Sequence, residues 1–219
     1  MNELAPPGEV LVMGAGAVGC YVGGCLAAAG VPVRLVGRPR VLDALAQHGL
    51  TLTDRDGACR RVPAAELRLA TAVPADARPA LVLLAVKSGA TAAAAAELAA
   101  ALPAGTPVVS LQNGIGNAGV AQRAAPALSA LAGMVPYNVA ELAPGAYHRG
   151  TAGRLASVAH PALLPWAPVF EAAGVPIDLR SDLQAIQWGK LLLNLNNPVN
   201  ALSGLPLREQ LLDRGYRDR

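Results

Sequence analysis

The chain has 219 residues, of which 53% are hydrophobic and only 15% charged; this excludes a generally disordered chain and leaves ample material for a buried core. Aromatics are just 3%, so that core must be built from Ala, Val and Leu. Eighteen Lys and Arg against fifteen Asp and Glu, a net charge of +3, do not make the dense basic stripe of a nucleic-acid binder, and base-stacking aromatics are too few. Cys20, Cys25 and Cys59 form no CxxC pair, which argues against a disulfide scaffold and a Cys-rich zinc site. His48, His148 and His160 are isolated, so no metal is expected. The first residues lack a basic stretch followed by a long apolar one, and the apolar segment Ala90 to Leu102 is interrupted by Glu97 and too short to span a bilayer. A soluble, cytoplasmic protein without membrane or nucleic-acid partners is expected.

Val10 to Met13 is a short apolar run ending in glycines, the mark of a buried parallel strand. Ala17 to Ala29 reads as a helix of small residues stopped by Gly30, and Val31 to Val36 as a second strand with Pro32 tolerated at its start. Residues 40–48 are predicted helical up to Gly49. Leu50 to Thr53, the Asp56-Gly57 turn and Cys59 to Val62 predict a small hairpin. Leu81 to Val86 is another buried strand, followed by an Ala-rich helix from Thr91 to Leu102 and a strand over Pro107 to Leu111. Strand–helix alternation of this kind implies right-handed crossovers and a parallel sheet. From Leu131 to Val158 the texture changes, and one or two hairpins or added edge strands are expected. Pro161 to Ala173 is predicted as a helix, Val175 to Asp178 as a last strand, and everything beyond Ser181 as helical.

Gly14-Ala15-Gly16-Ala17-Val18-Gly19 matches G-x-G-x-x-G. The three glycines suit a tight turn, close approach of the backbone to a pyrophosphate, and close packing of helix on strand. The helix that opens here offers unpaired N–H groups and a positive dipole end. The motif alone is weak, and a bare strand–helix turn is the alternative. Its place after a predicted strand, at the start of a helix and within a βαβ unit, is the context the motif demands. An NAD site would carry an acid at the end of the second strand, but that place reads Val36-Gly37-Arg38-Pro39-Arg40. Arg38 suits a 2′-phosphate, with Arg40 as a helper, so NADP(H) is the expected cofactor. A solvated basic turn before the helix is the alternative.

Ligands of open α/β sheets lie beyond the carboxyl ends of the strands. Lys87 and Ser88 stand there after one predicted strand, and Gln112-Asn113-Gly114 after the next. Lys87 can donate to ribose or phosphate, and Asn113 can orient a nicotinamide or a carbonyl. Equally, Asn113-Gly114 can merely turn the chain while Lys87 reaches solvent. In Gln187 to Asn200, Lys190, Asn194 and Asn197 fall at i, i+4 and i+7 of a helix, a polar stripe on a leucine-rich segment. Asn is a poor helix former, and a broken local rule is where function is expected. Alternatively, Asn197-Pro198 caps a new helix, with Asn196 and Asn200 simply solvated.

The glycine loop with Arg38, Val86-Lys87, Gln112-Asn113-Gly114 and Trp188-Gly189-Lys190-Leu-Leu-Leu-Asn194, in this order, resembles the ketopantoate reductase (2-dehydropantoate 2-reductase) family over essentially the whole chain. The resemblance implies a Rossmann-type doubly wound parallel sheet over residues 1–180, then the start of an all-helical substrate and dimerisation domain over 181–219. It implies an NADP-dependent oxidoreductase that reduces 2-dehydropantoate to (R)-pantoate in pantothenate and coenzyme A synthesis. The residues of the glycine loop, Gly14, Ala15, Gly16, Ala17, Val18 and Gly19, would hold the pyrophosphate and Arg38 the 2′-phosphate. Lys87 and Asn113 match cofactor- and substrate-contacting positions. Lys190 matches the catalytic lysine, and Asn194 and Asn197 the substrate-orienting asparagines. Family members continue well past the position of Arg219, so the chain is expected to be a fragment or an interrupted gene product. Leu191, Leu192, Leu193, Leu195, Leu205, Leu207, Leu211 and Leu212 call for a partner surface, and a homodimer through this segment is one expectation. A reductase of another 2-oxo acid and a non-catalytic dinucleotide-binding fragment are the alternatives.

Overall fold

The computed structural model describes residues 6–195, 197–205, 209, 212, 213 and 215. Its framework is a sheet of eight strands built on the apolar runs. In sheet order these are β12 (Ile177–Arg180), β11 (Leu155–Val158), β8 (Ser129–Met134), β7 (Pro107–Ser110), β6 (Leu81–Leu84), β1 (Val10–Met13), β2 (Val33–Val36) and β5 (Arg68–Ala70). From β8 to β5 every pairing is parallel; only β11 runs against its neighbour β8.

Both faces of the central strands are covered, which is why they read as continuous apolar runs rather than alternating ones. On one face Val10, Val12, Leu35, Leu81 and Leu83 pack in one core with α1 (Ala17–Ala28) and with Leu42 and Leu45 of α2 (Pro39–His48). On the other, Leu11, Met13, Val82 and Leu84 meet α3 (Thr91–Ala101) and α4 (Asn117–Ala124). Each fully buried Val or Leu contributes about 1.5–3 kcal/mol. The fold is thus α/β, parallel-dominated and doubly wound.

A second sheet, β4 (Cys59–Val62), β3 (Leu50–Asp54), β10 (Ala146–Arg149) and β9 (Val139–Ala143), lies over α1. The helix is therefore clamped between two sheets, and its small residues permit this. A Cβ on Gly23 would stand 2.8 Å from Val12 Cγ2 of the large sheet, and one on Gly24 2.8 Å from Leu52 Cδ1 of the small one. The predicted hairpin of β3 and β4 forms as expected. Its turn is held by Asp54, which accepts from the amides of Asp56 and Ala58, each at 3.0 Å, and pairs with buried Arg149 at 3.1 Å.

Several expectations need correction. The segment Leu131 to Val158 is divided between the sheets: β8 and β11 join the large one, while β9 and β10 form a hairpin in the small one, with β10 parallel to β3. Val31 and Val175 close the ends of helices rather than start strands, which begin at Val33 and Ile177. Gly30 (φ +85°) and Gly174 (φ +73°) turn out of the helices, and the amides of Val31 and Val175 return to the carbonyls of Leu26 and Phe170, each at 3.1 Å. The expected helix over Pro161 to Ala173 is a 3₁₀ segment over Pro161–Trp166 followed by α5 (Ala167–Ala172), because Pro165 and Pro168 supply no backbone donors. The short edge strand β5 and the helix α4, which buries only Ala121, were not predicted.

Past Ser181 the chain is helical in α6 (Gln184–Asn194) and α7 (Asn197–Ser203). The polar stripe does not run along one helix. Lys190 and Asn194 share α6, whereas Asn197 opens α7 with Pro198 next to it, as a cap-and-proline start implies. Trp188, Leu192, Leu195, Leu202, Leu205 and Leu212 are exposed, while Leu191 is partly covered. Asn196, Leu207 and Leu211 and the side chains of Leu193 and Asn197 lie outside the described residues. Among the described residues no helix is long and apolar enough to cross a membrane, and no three His, Cys, Asp or Glu side chains gather as a metal site.

Candidate active site

The glycine turn occupies the carboxyl end of β1, and its glycines serve different ends. Gly14 has φ +113°, and a Cβ there would stand 2.7 Å from the backbone of Ala85 and Val86. A Cβ on Gly19 would strike the Gly14 carbonyl oxygen and lie 3.0 Å from Val12 Cγ1. Both glycines are demanded by the fold itself. Gly16 is not: its backbone is extended (φ −92°, ψ −173°), it is exposed, and nothing lies within 4 Å of where a Cβ would sit. Its missing side chain leaves open the approach to the first turn of α1, which no side chain caps. Ala17 and Val18 belong to that turn, whose first amides have no acceptor within the helix.

The neighbouring strand ends form a continuous line with this turn. Gly14 and Ala15 both donate to the Val36 carbonyl at 2.9 Å, and a Cβ on Gly37 would stand 2.6 Å from Ala15 Cβ. That brings Arg38, exposed at the N-cap of α2 and without an ion pair among the described residues, beside the glycine turn. On the other side, Val86 leads to exposed Lys87 and to Ser88, whose hydroxyl donates to the Asn113 carbonyl at 3.4 Å. Asn117 Nδ2 donates to the same carbonyl at 2.8 Å.

Lys190 reaches this line from α6. Its Nζ donates to Asn113 Oδ1 at 2.8 Å, across 77 positions of sequence, and to the Val135 carbonyl. Burial lowers its pKa from the ordinary lysine value of 10.5. One turn back, Gln187 Nε2 donates to the Gly133 carbonyl at 3.1 Å and fixes α6 on β8. A narrow crevice is lined here by Gln112 to Gly114, Met134, Gln187, Lys190, Leu191 and Asn194. The structure therefore brings Asn113, Lys190 and Asn194 to one place.

Sequence reasoning did not single out Gln187 or the Val135 carbonyl, and it placed Ser88 and Gln112 at the ligand-facing strand ends without giving either a role. Gln187 lies three positions before Lys190 and so on its face. Gln112 stands in the predicted motif, beside Asn113. The Val135 carbonyl carries no side-chain signal at all.

The parallel strand order and the glycine turn at the end of β1 define a Rossmann-type dinucleotide-binding fold. The family described as ketopantoate reductase PanE/ApbA matches residues 10–159. A 2-dehydropantoate 2-reductase of Halobacterium salinarum is 33% identical over 203 residues, which is 90% of this chain and 65% of the relative. A PanE/ApbA family ketopantoate reductase of Ralstonia eutropha superposes with a TM-score of 0.85 at 32% identity, covering 96% of this chain and 69% of that one. A 2-dehydropantoate 2-reductase of Geobacter metallireducens gives 0.82 at 28%, with 96% and 70% covered. The chain belongs to the ketopantoate reductase family, and it spans about two thirds of the length of these relatives.

Proposed function

We propose that the chain binds NADPH and reduces 2-dehydropantoate to (R)-pantoate, a step of pantothenate and coenzyme A synthesis. The observation that carries this reading is the seating of the Lys190 ammonium on Asn113 Oδ1, at the carboxyl end of the strand next to the one that leads to Lys87. In this reading residues 1–180 are the cofactor-binding unit and 181–219 the first part of a helical substrate unit. Three unpaired cysteines suit a reducing cytoplasm, and the exposed Trp188, Leu192, Leu195 and Leu202 support self-association through α6 and α7.

The residues present fit the cofactor. The open approach over Gly16 and the uncapped first turn of α1 suit a pyrophosphate, which Gly14, Ala15, Gly16, Ala17, Val18 and Gly19 would hold. Arg38 would hold the 2′-phosphate. Lys87 and Asn113 would meet the ribose and nicotinamide side. When bound, the nicotinamide supplies a hydride to the ketone carbon.

Lys190 has the chemistry for the other half of the reduction. Its ammonium would hold the ketone oxygen and give it a proton as negative charge develops there. The lowered pKa makes that proton easier to release. Asn113 orients the ammonium through its amide oxygen, and Asn194, one turn along α6 in the same crevice, would orient the substrate, with Asn197 as its neighbour at the start of α7.

The test is oxidation of NADPH by the chain with 2-dehydropantoate, beside Lys190→Ala. The variant should retain NADPH and lose about 10²–10⁴-fold in rate. For the native chain the acid must be protonated, so the rate should fall on the alkaline side at a pH below 10.5. Equal rates for both chains would remove Lys190 from the chemistry. Binding without turnover by the native chain would leave a dinucleotide-binding unit, and turnover only with other 2-oxo acids would change the substrate.

A further inference from the structure

Gln112 is a buried polar residue of this region that the proposed chemistry does not use. It is 6% exposed, directly precedes Asn113, and its amide forms a cross-link of three hydrogen bonds. Nε2 donates to the Val86 carbonyl at 2.9 Å and to Thr91 Oγ1 at 2.7 Å, while Oε1 accepts from Ser110 Oγ at 3.0 Å. Thr91, fully buried at the start of α3, donates onward to the Ser88 carbonyl at 2.8 Å. The opposite amide orientation would set the Gln112 oxygen against the Val86 carbonyl oxygen, so the bond pattern admits one arrangement.

The loop tied down in this way is otherwise lightly held. Lys87, Ser88, Gly89 and Ala90 are all exposed, and nothing lies within 4 Å of a Cβ on Gly89. The amide cross-link spans both ends of this loop, at Val86 and Thr91, and fastens them to the segment after β7 that carries Asn113. A loop joined to its neighbours mainly through exposed bonds opens at low cost, whereas a buried and fully paired amide does not.

We propose that Gln112 is a positioning residue, which locks the Lys87 loop to Asn113 and so holds the groups facing the cofactor at a fixed separation. The inference rests on the dinucleotide reading above. Glutamate cannot replace the amide, because an ionised carboxylate has no donor for the Val86 carbonyl. Asparagine is one methylene too short to span both partners.

The test compares the native chain with Gln112→Met, which keeps the length and removes the polar atoms. NADPH affinity is measured by fluorescence titration on the folded fraction, together with amide exchange over residues 87–90. Losing a buried cross-link should weaken NADPH about tenfold and speed exchange in the loop, while β1 and β6 stay protected. A residue with a purely structural role would lower the melting temperature and leave the affinity of the folded molecules unchanged; that result overturns the inference. If Gln112→Met does not fold, Thr91→Val breaks the same cross-link at its other end and is judged by the same criterion. A native chain that does not bind NADPH would instead overturn the dinucleotide reading, and this inference with it.

Discussion

Two alanine substitutions in one motif should have opposite consequences. In Gly19→Ala the new methyl would collide with the Gly14 carbonyl oxygen and stand 3.0 Å from Val12 Cγ1. The first neighbour is backbone, held in a turn whose amides at Gly14 and Ala15 already bond to Val36, so it cannot move aside cheaply. Overpacking of this kind costs about 1–3 kcal/mol, and in a chain of this size each kcal/mol lowers the melting temperature by roughly 2–4 °C. A drop of about 2–12 °C is expected. In Gly16→Ala the methyl meets nothing within 4 Å, and the backbone is already extended. Replacing Gly where the conformation suits Ala stabilises a protein by about 0.4–1 kcal/mol, so the melting temperature should hold or rise slightly. The same methyl, however, stands where a pyrophosphate would approach, and NADPH affinity should fall at least about tenfold. Thermal melts and fluorescence titrations on both variants read the two effects separately. Native stability in Gly19→Ala would refute the packing argument. Native NADPH affinity in Gly16→Ala would refute the placement of the phosphates.

Arg38→Glu should weaken NADPH much more than NADH, since only the former carries a 2′-phosphate; equal losses in paired titrations would remove Arg38 from that role. Cys20 and Cys25 are buried in α1, where burial pushes both thiols up to about 11, while Cys59 is exposed. A thiol reagent near neutral pH should therefore label one cysteine in the native chain and all three after denaturation. Rapid native labelling of three would mean that α1 is not clamped between its two sheets.

The strands at the centre of the large sheet were legible because each is buried on both faces and therefore writes an unbroken apolar run. The glycine turn was legible for a related reason, since glycine is needed where a backbone must come within contact of another. Signals failed where burial was partial. β5 is a three-residue edge strand with no buried position, and α4 buries only Ala121, so neither carries a period to detect. The starts of β2 and β12 were blurred because a valine closing a helix end looks like a valine starting a strand. Lys190 and Asn113 stood out separately, one as a charge on a leucine-rich helix and the other beside a strand end.

By itself, the sequence determined the parallel α/β core, the glycine turn after the first strand and a short set of polar residues, because these depend on neighbours in the chain or on complete burial. Only the tertiary structure decided how Leu131 to Val158 is shared between two sheets, since strand pairing is chosen by partners far away in sequence. Only it placed the Lys190 ammonium on Asn113 and the Gln112 amide across the Lys87 loop. These contacts join α6 to the end of β7 and β7 to the start of α3, and helix or strand periodicity constrains one element at a time, never the distance between two.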